Sequence, residues 1–187
     1  MLLWEIQKAN EAPSKKKYFE RFKTPFAFSD TNNASTKPFD IIAQPNKAIP
    51  KIIHYCWFGG NPLPKSAQKC IGSWKKFFKD YEIKEWNESN FNIECCDYVK
   101  EAYAAKKWAF VSDYARFWIL FHEGGLYFDT DVEVIKDMHE IVTNGAFMGC
   151  EAMHKCAPGL GIGASPGLGL YKELIDYYNN IHFFRES

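Results

Sequence analysis

Long apolar runs are missing from this 187-residue chain. No stretch approaches the roughly 18 residues that a helical membrane span needs. The amino-terminal MLLWEIQKAN is too short in its apolar part for a secretory leader, and no small-residue cleavage site follows it. An excess of positive charge is missing too: 23 Lys and Arg stand against 23 Asp and Glu. Residues 1–50 carry 8 basic and 5 acidic side chains, and residues 51–187 carry 15 and 18. A mildly acidic main segment excludes a nucleic-acid footprint, and an acidic domain that takes a polyanionic ligand needs a cation to mediate. No C-x-x-C pair occurs among the six cysteines, and Cys95 and Cys96 are adjacent, a poor start for a disulfide framework. Cys150, His154 and Cys156 fit no common zinc spacing. The thiols are expected to be reduced and mostly buried, in a soluble, intracellular protein.

What is present is core material, 47% hydrophobic and 17% aromatic, which excludes a disordered chain. Residues 1–48 read as an extension, with helical stretches near 2–10 and 15–23 parted by Pro13, then the linker-like FSDTNNASTKP. Lys15–Lys17 read as a solvated helix face, with peripheral contact to a membrane surface as the alternative. Residues 49–187 alternate strands and helices. KIIHYCW (51–57) predicts a buried strand and residues 65–79 an amphipathic helix, with YEIKEW (81–86) a second strand. Helices are expected over 97–106 and around Ser112–Phe121, the latter ended by Gly124-Gly125. LYFD (126–129) predicts a strand, VEVI (132–135) further extended chain, AFMGCE (146–151) a strand, and 167–183 a closing helix. Strands alternating with helices imply an α/β fold with a mostly parallel sheet and a ligand beyond the carboxyl ends of its strands.

The chemistry centres on GGLYFDTDVEV. In extended chain Asp129 and Asp131 project to one side, where two oxygen ligands suit Mg²⁺ or Mn²⁺ and leave positions for phosphate oxygens. A D-x-D alone is weak, since at ordinary Asp frequency about every second chain of this length holds one. The strand leading into it strengthens it. Asp113 and Arg116 lie three apart on one face of a strongly apolar helix, so the pair is expected to be buried and in need of partners. A carboxylate and a guanidinium together suit a sugar and its phosphate. Trp57, at a strand's end beside Gly59-Gly60, is placed to stack on a base, with backbone groups of Tyr55, Cys56 and Trp57 at the base edge. His54, His122, Glu123 and Glu133 read as structural or solvated, with Glu133 assisting a metal if the turn folds back.

IPKIIHYCWFGG (49–60), WAFVSDYARFWIL (108–120) and GGLYFDTDVEV (124–134), in that order, resemble the glycosyltransferases whose sugar-binding region contains an Asp-x-Asp motif. The likeness is nearest to the capsular polysaccharide type, with the initiating mannosyltransferases in the same group. It covers roughly residues 49–165. The resemblance implies a glycosyltransferase A-type, Rossmann-like fold with flanking helices that binds a nucleotide-diphosphate sugar, UDP- or GDP-linked, and Mn²⁺ or Mg²⁺. Carried over, Trp57 stacks on the base, Asp113 and Arg116 hold the donor sugar and phosphate, Tyr127 lines the donor site, and Asp129 and Asp131 meet ribose and metal. Asp113, Arg116 and Asp131 are then the catalytic set. The resemblance also implies a saccharide acceptor, retention of configuration by front-face displacement, and work in the cytoplasm at the inner membrane face. One departure stands out: about 138 residues follow Ile49, fewer than the family's pattern, so the fold reads as incomplete at its carboxyl end. A dinucleotide-binding reading of GLGIGASPGLG (159–169) fails on its glycine spacing. A phosphohydrolase leaves Trp57 and Arg116 unexplained. A non-catalytic module of the same fold stays open.

Overall fold

A computed structural model describes residues 48–151 and 155–184. The helical stretches expected at 2–10 and 15–23 lie outside the described residues.

Strand β1 (Ile52–Cys56) opens the fold, followed by α1 (Lys65–Phe77) and β2 (Glu82–Trp86). Helices α2 (Asp97–Ala104) and α3 (Trp108–His122) lead into β3 (Gly125–Tyr127). Next come the short α4 (His139–Thr143) and β4 (Phe147–Met148). A ribbon of β5 (Cys150–Glu151) and β6 (Lys155–Cys156) follows. A 3-10 turn (Pro158–Leu160), β7 (Ile162–Ala164) and α5 (Gly169–Asn179) close the described chain.

The main sheet has the order β2-β1-β3-β7-β4. β1 pairs in parallel with both β2 and β3, whereas β7 runs antiparallel to β3 and β4. The sheet is therefore mostly parallel, as expected, with β7 alone reversed. Side chains alternate across it as extended chain requires. Ile53, Tyr55, Leu126 and Phe128 face a core with Ile71, Trp74 and Phe78 of the α1 side, together with Met138 and Val142. Cys56, Tyr127, Ile162 and Ala164 face a second core built with Val99, Tyr114, Ile119 and Tyr171 of α2, α3 and α5. The result is a three-layer α/β/α arrangement.

Consecutive connections decide where the site falls. The chain leaves β1 to one side through α1 into β2, and returns through α2 and α3 to place β3 on β1's other side. The strand order thus reverses at β1, the point where sheets of this kind place a ligand, beyond the carboxyl ends of β1 and β3.

Two glycines make the α3–β3 corner. Gly124 (φ +66°) and Gly125 (φ +99°) occupy the left-handed region that side-chain-bearing residues avoid. A Cβ on Gly125 would fall 2.7 Å from the Ile52 carbonyl oxygen and 3.0 Å from His54 Nε2. His54 is fully buried there. Trp86 Nε1 donates to its Nδ1 (3.0 Å), so its Nε2 carries the proton and donates to the Gly124 carbonyl (2.9 Å). Burial lowers the imidazole's pKa to about 4, against the partial support of Gly124, and the ring stays neutral as a strut between β2 and the corner.

Three boundaries depart from the sequence reading. β3 ends at Tyr127 and not at Asp129. Residues 133–135 form no strand, because their backbone is claimed by α1: Trp74 Nε1 donates to the Val132 carbonyl (2.9 Å) and the Val134 amide donates to Ser73 Oγ (2.9 Å). The run 146–151 splits at Gly149, with β4 joining the main sheet and β5 leaving it for the ribbon.

Candidate active site

At the carboxyl ends of β1 and β3, side chains from three elements meet around one guanidinium. Arg116, on α3, is buried to 6% exposure. Its Nε donates to the Ser112 carbonyl one turn earlier (3.2 Å), and its Nη2 donates to Asp113 Oδ1 (2.6 Å) and Asp129 Oδ1 (3.3 Å). The guanidinium also lies over the Tyr127 ring, 5.2 Å from its centre. Burial works against its charge, yet Asp129 and Asp113 more than compensate and hold its pKa above the usual value. The carboxylates it carries are more open, with side chains 35% exposed at Asp113 and 26% at Asp129. The i,i+3 pair foreseen on the helix is thus real, but it is the base of a three-residue cluster, with the cation beneath and the carboxylates towards solvent.

Tyr127, the last residue of β3, donates its hydroxyl to Asp129 Oδ1 (3.2 Å) and sits beside Cys56. Burial is the main reason the Tyr127 phenol is held well above its ordinary pKa, with Cys56 and Asp129 adding to it. Burial also pushes the Cys56 thiol up to about 12, which the Tyr127 hydroxyl partly offsets. Both groups are therefore protonated at neutral pH, and the Tyr127 hydroxyl holds Asp129.

Past Tyr127 the chain turns. The Val132 amide donates to the Asp129 carbonyl (3.0 Å), closing a four-residue turn over Asp129–Val132. Asp129 and Asp131 were expected on one side of an extended segment. Instead, Asp129 is drawn to Arg116, and Asp131 stands within the turn, in electrostatic reach of the Cys70 thiol on α1. Glu133, foreseen as a metal assistant, pairs with Lys69 of α1 (3.0 Å).

Of the other residues proposed from sequence, Cys56, Asp113, Arg116, Tyr127 and Asp129 come together. Tyr55, expected at the base edge through its backbone, turns its side chain to the opposite face, edge-on to Trp74, with its hydroxyl donating to Glu85 (2.6 Å). Trp57 sits just past β1 and is half-buried. Its amide is used by the Trp86 carbonyl (2.8 Å) and its indole N–H by the Asn61 carbonyl (2.6 Å). Its indole edge is thus fixed within the loop that follows β1.

Sequence reasoning missed Gly159. The Asp129 amide donates to the Gly159 carbonyl (2.9 Å), and a Cβ at 159 would fall 2.0 Å from Asp129 Oδ2. Only a bare backbone fits against that carboxylate. The signal was GLGIG, which reads as a plain turn unless one knows which carboxylate it faces.

Among the described residues no group of three or more His, Cys, Asp and Glu side chains converges as a metal shell. Asp129 and Asp131 supply hard oxygen ligands of the kind Mg²⁺ and Mn²⁺ accept. A cation here would take its remaining ligands from phosphate and water. With Asp113 and Asp129 around the single Arg116, the formal charge of the cluster is negative.

An α/β sheet with an arginine-tethered acidic cluster at its switch point belongs to the class of folds that bind ligands beyond their strand ends. The comparisons narrow that class. Residues 64–148 match the family model described as a glycosyltransferase sugar-binding region containing a DXD motif, a span that takes in Asp113, Arg116, Tyr127, Asp129 and Asp131. The fold is similar to the solved structure of the PaToxG glycosyltransferase, with 18% identity and a TM-score of 0.54 over 71% of this chain. The match spans 60% of that protein's chain. No curated protein matches this one.

Proposed function

We propose that this protein is a metal-dependent hexosyltransferase that moves a sugar from a nucleotide-diphosphate sugar to a saccharide acceptor. The observation that carries this reading is the Asp113–Arg116–Asp129 cluster at the switch point, inside the span that matches the sugar-binding family model. The acidic cluster repels a diphosphate, so donor binding needs a divalent cation between them. Mn²⁺ or Mg²⁺ held by Asp129 and Asp131 would neutralise the charge developing on the leaving diphosphate. The chain's own residues do the rest. Asp113 accepts hydrogen bonds from donor-sugar hydroxyls. Arg116 orients Asp113 and Asp129 from below, a positioning role that fits its burial. Tyr127 and Gly159 fix Asp129 from either side, and the face of Trp57 stacks on the base. Retention by front-face displacement follows from the family resemblance, as does a role in capsular or surface polysaccharide synthesis. The same resemblance supports a cytoplasmic site of action near the inner membrane face. We also assign residues 1–48 to a separate extension.

The first experiment is a thermal-shift panel of UDP, GDP and dTDP with and without Mn²⁺, repeated on Asp131→Asn, followed by donor hydrolysis. Stabilisation by one nucleotide, only with metal and lost in the variant, supports the donor site and identifies the base. Binding without any turnover would make the chain a nucleotide-sugar-binding module. No shift with any nucleotide would overturn the proposal.

A further inference from the structure

Two cysteines outside the site sit opposite one another. Cys150 on β5 and Cys156 on β6 are direct partners in the antiparallel ribbon, and both are exposed. The Ala157 amide donates to the Gly149 carbonyl (2.8 Å) just outside the pair. That bond makes 150/156 the narrow, non-hydrogen-bonded position of the ladder, where facing Cα atoms stand about 4.5 Å apart and side chains are closest. Disulfides span Cα separations of roughly 4.4–6.8 Å. The two thiols stand within interaction range of one another. The remaining cysteines are placed differently. Cys56 and Cys70 are buried in different elements, and Cys95 and Cys96 are half-buried neighbours in sequence.

We infer that Cys150 and Cys156 form a redox-active dithiol, which a small-molecule disulfide oxidises to a cross-strand disulfide. In the first exchange one cysteine thiolate attacks the reagent, forming a mixed disulfide and releasing one thiol. The second cysteine then attacks the protein sulfur, closing the bridge and releasing the other thiol. Two electrons and two protons pass from the protein to the reagent.

The bridge has a structural consequence because the ribbon is bolted to the active-site wall. Gly149 donates to the Gly161 carbonyl (2.7 Å), and between Ala157 and Gly161 lies Gly159, whose carbonyl receives the Asp129 amide. A staple across 150 and 156 fixes the ribbon from which that wall departs. The inference rests on the ladder and not on the proposed activity.

The test uses the full chain, reduced, then incubated with excess oxidised glutathione, alkylated and digested with trypsin. Cleavage after Lys155 separates the two cysteines, so the bridge would link peptides 137–155 and 156–172. The expected result is that linked pair, with free thiols falling from six to four in the monomer. Neither Cys150→Ser nor Cys156→Ser is expected to form an intramolecular bridge. Six free thiols after oxidation would overturn the inference. So would a Cys95–Cys96 bridge in its place, or linked peptides found only in a covalent dimer.

Discussion

Arg116 shows how one side chain organises its surroundings. A guanidinium offers five donors in a rigid fork, and here that fork holds two carboxylates from different elements above a tyrosine ring. A lysine keeps the charge but loses the fixed plane that sets Nε on the Ser112 carbonyl while Nη2 serves both carboxylates. Arg116→Lys is expected to cost roughly 1–3 kcal/mol, the range for lost hydrogen bonds to charged groups, and to weaken the proposed metal-dependent nucleotide binding at least about tenfold, read by chemical denaturation and titration. Gly159→Ala tests the same carboxylate from the other side. Its Cβ has no room beside Asp129 Oδ2, so overpacking of about 1–3 kcal/mol is expected, together with loss of the nucleotide-induced thermal shift. An unchanged shift would show that Asp129 is not held by this contact.

Among the elements, the α3–β3 corner carries the tightest constraints. Gly125 combines a positive φ with contact to the Ile52 carbonyl and His54. Gly125→Ala is expected to destabilise the fold by more than about 1 kcal/mol, measured by urea denaturation. His54 makes the same corner sensitive to pH. Its folded pKa of about 4 lies below the unfolded value of 6.5, so the unfolded chain binds the additional proton between those values. Stability from the neutral ring is complete above about 6.5 and is lost as pH falls through 6.5 towards 4. The full change is on the order of 3 kcal/mol. Urea midpoints measured across that window are expected to fall in the wild type, and a flatter profile is expected in His54→Gln. The elements were largely legible in sequence where periodicity was strong, as in α1 and β1. They were misread where another element captured the backbone, as α1 does for residues 132–134.

For the whole molecule, both cores, among the described residues, are built between Ile49 and Phe183 on the two faces of one sheet. A chain beginning at residue 48 is therefore expected to unfold in a single cooperative transition, with a midpoint within a few degrees of the full-length protein by circular dichroism. A broad or absent transition would show that residues 1–47 supply part of the core. Assembly at this scale also explains the site. β1 is the switch point only because β2 and β3 flank it, and that ordering brings Cys56, Arg116 and Tyr127 together from distant parts of the chain.

By itself the sequence determined the α/β alternation, the amphipathic face of α1, the glycine corner and the i,i+3 pairing of Asp113 with Arg116. These follow from local periods of 2 and 3.6 and from residue chemistry, which need no knowledge of distant partners. Tertiary structure alone decided that Arg116 lies beneath its carboxylates, that Asp129 and Asp131 lie in a turn and not in extended chain, and that the Tyr55 side chain faces away. It also decided that Gly159 abuts Asp129 and that Cys150 meets Cys156. Each of these depends on which segments a packed sheet sets side by side, and that pairing is a property of the assembled layers and not of any window along the chain.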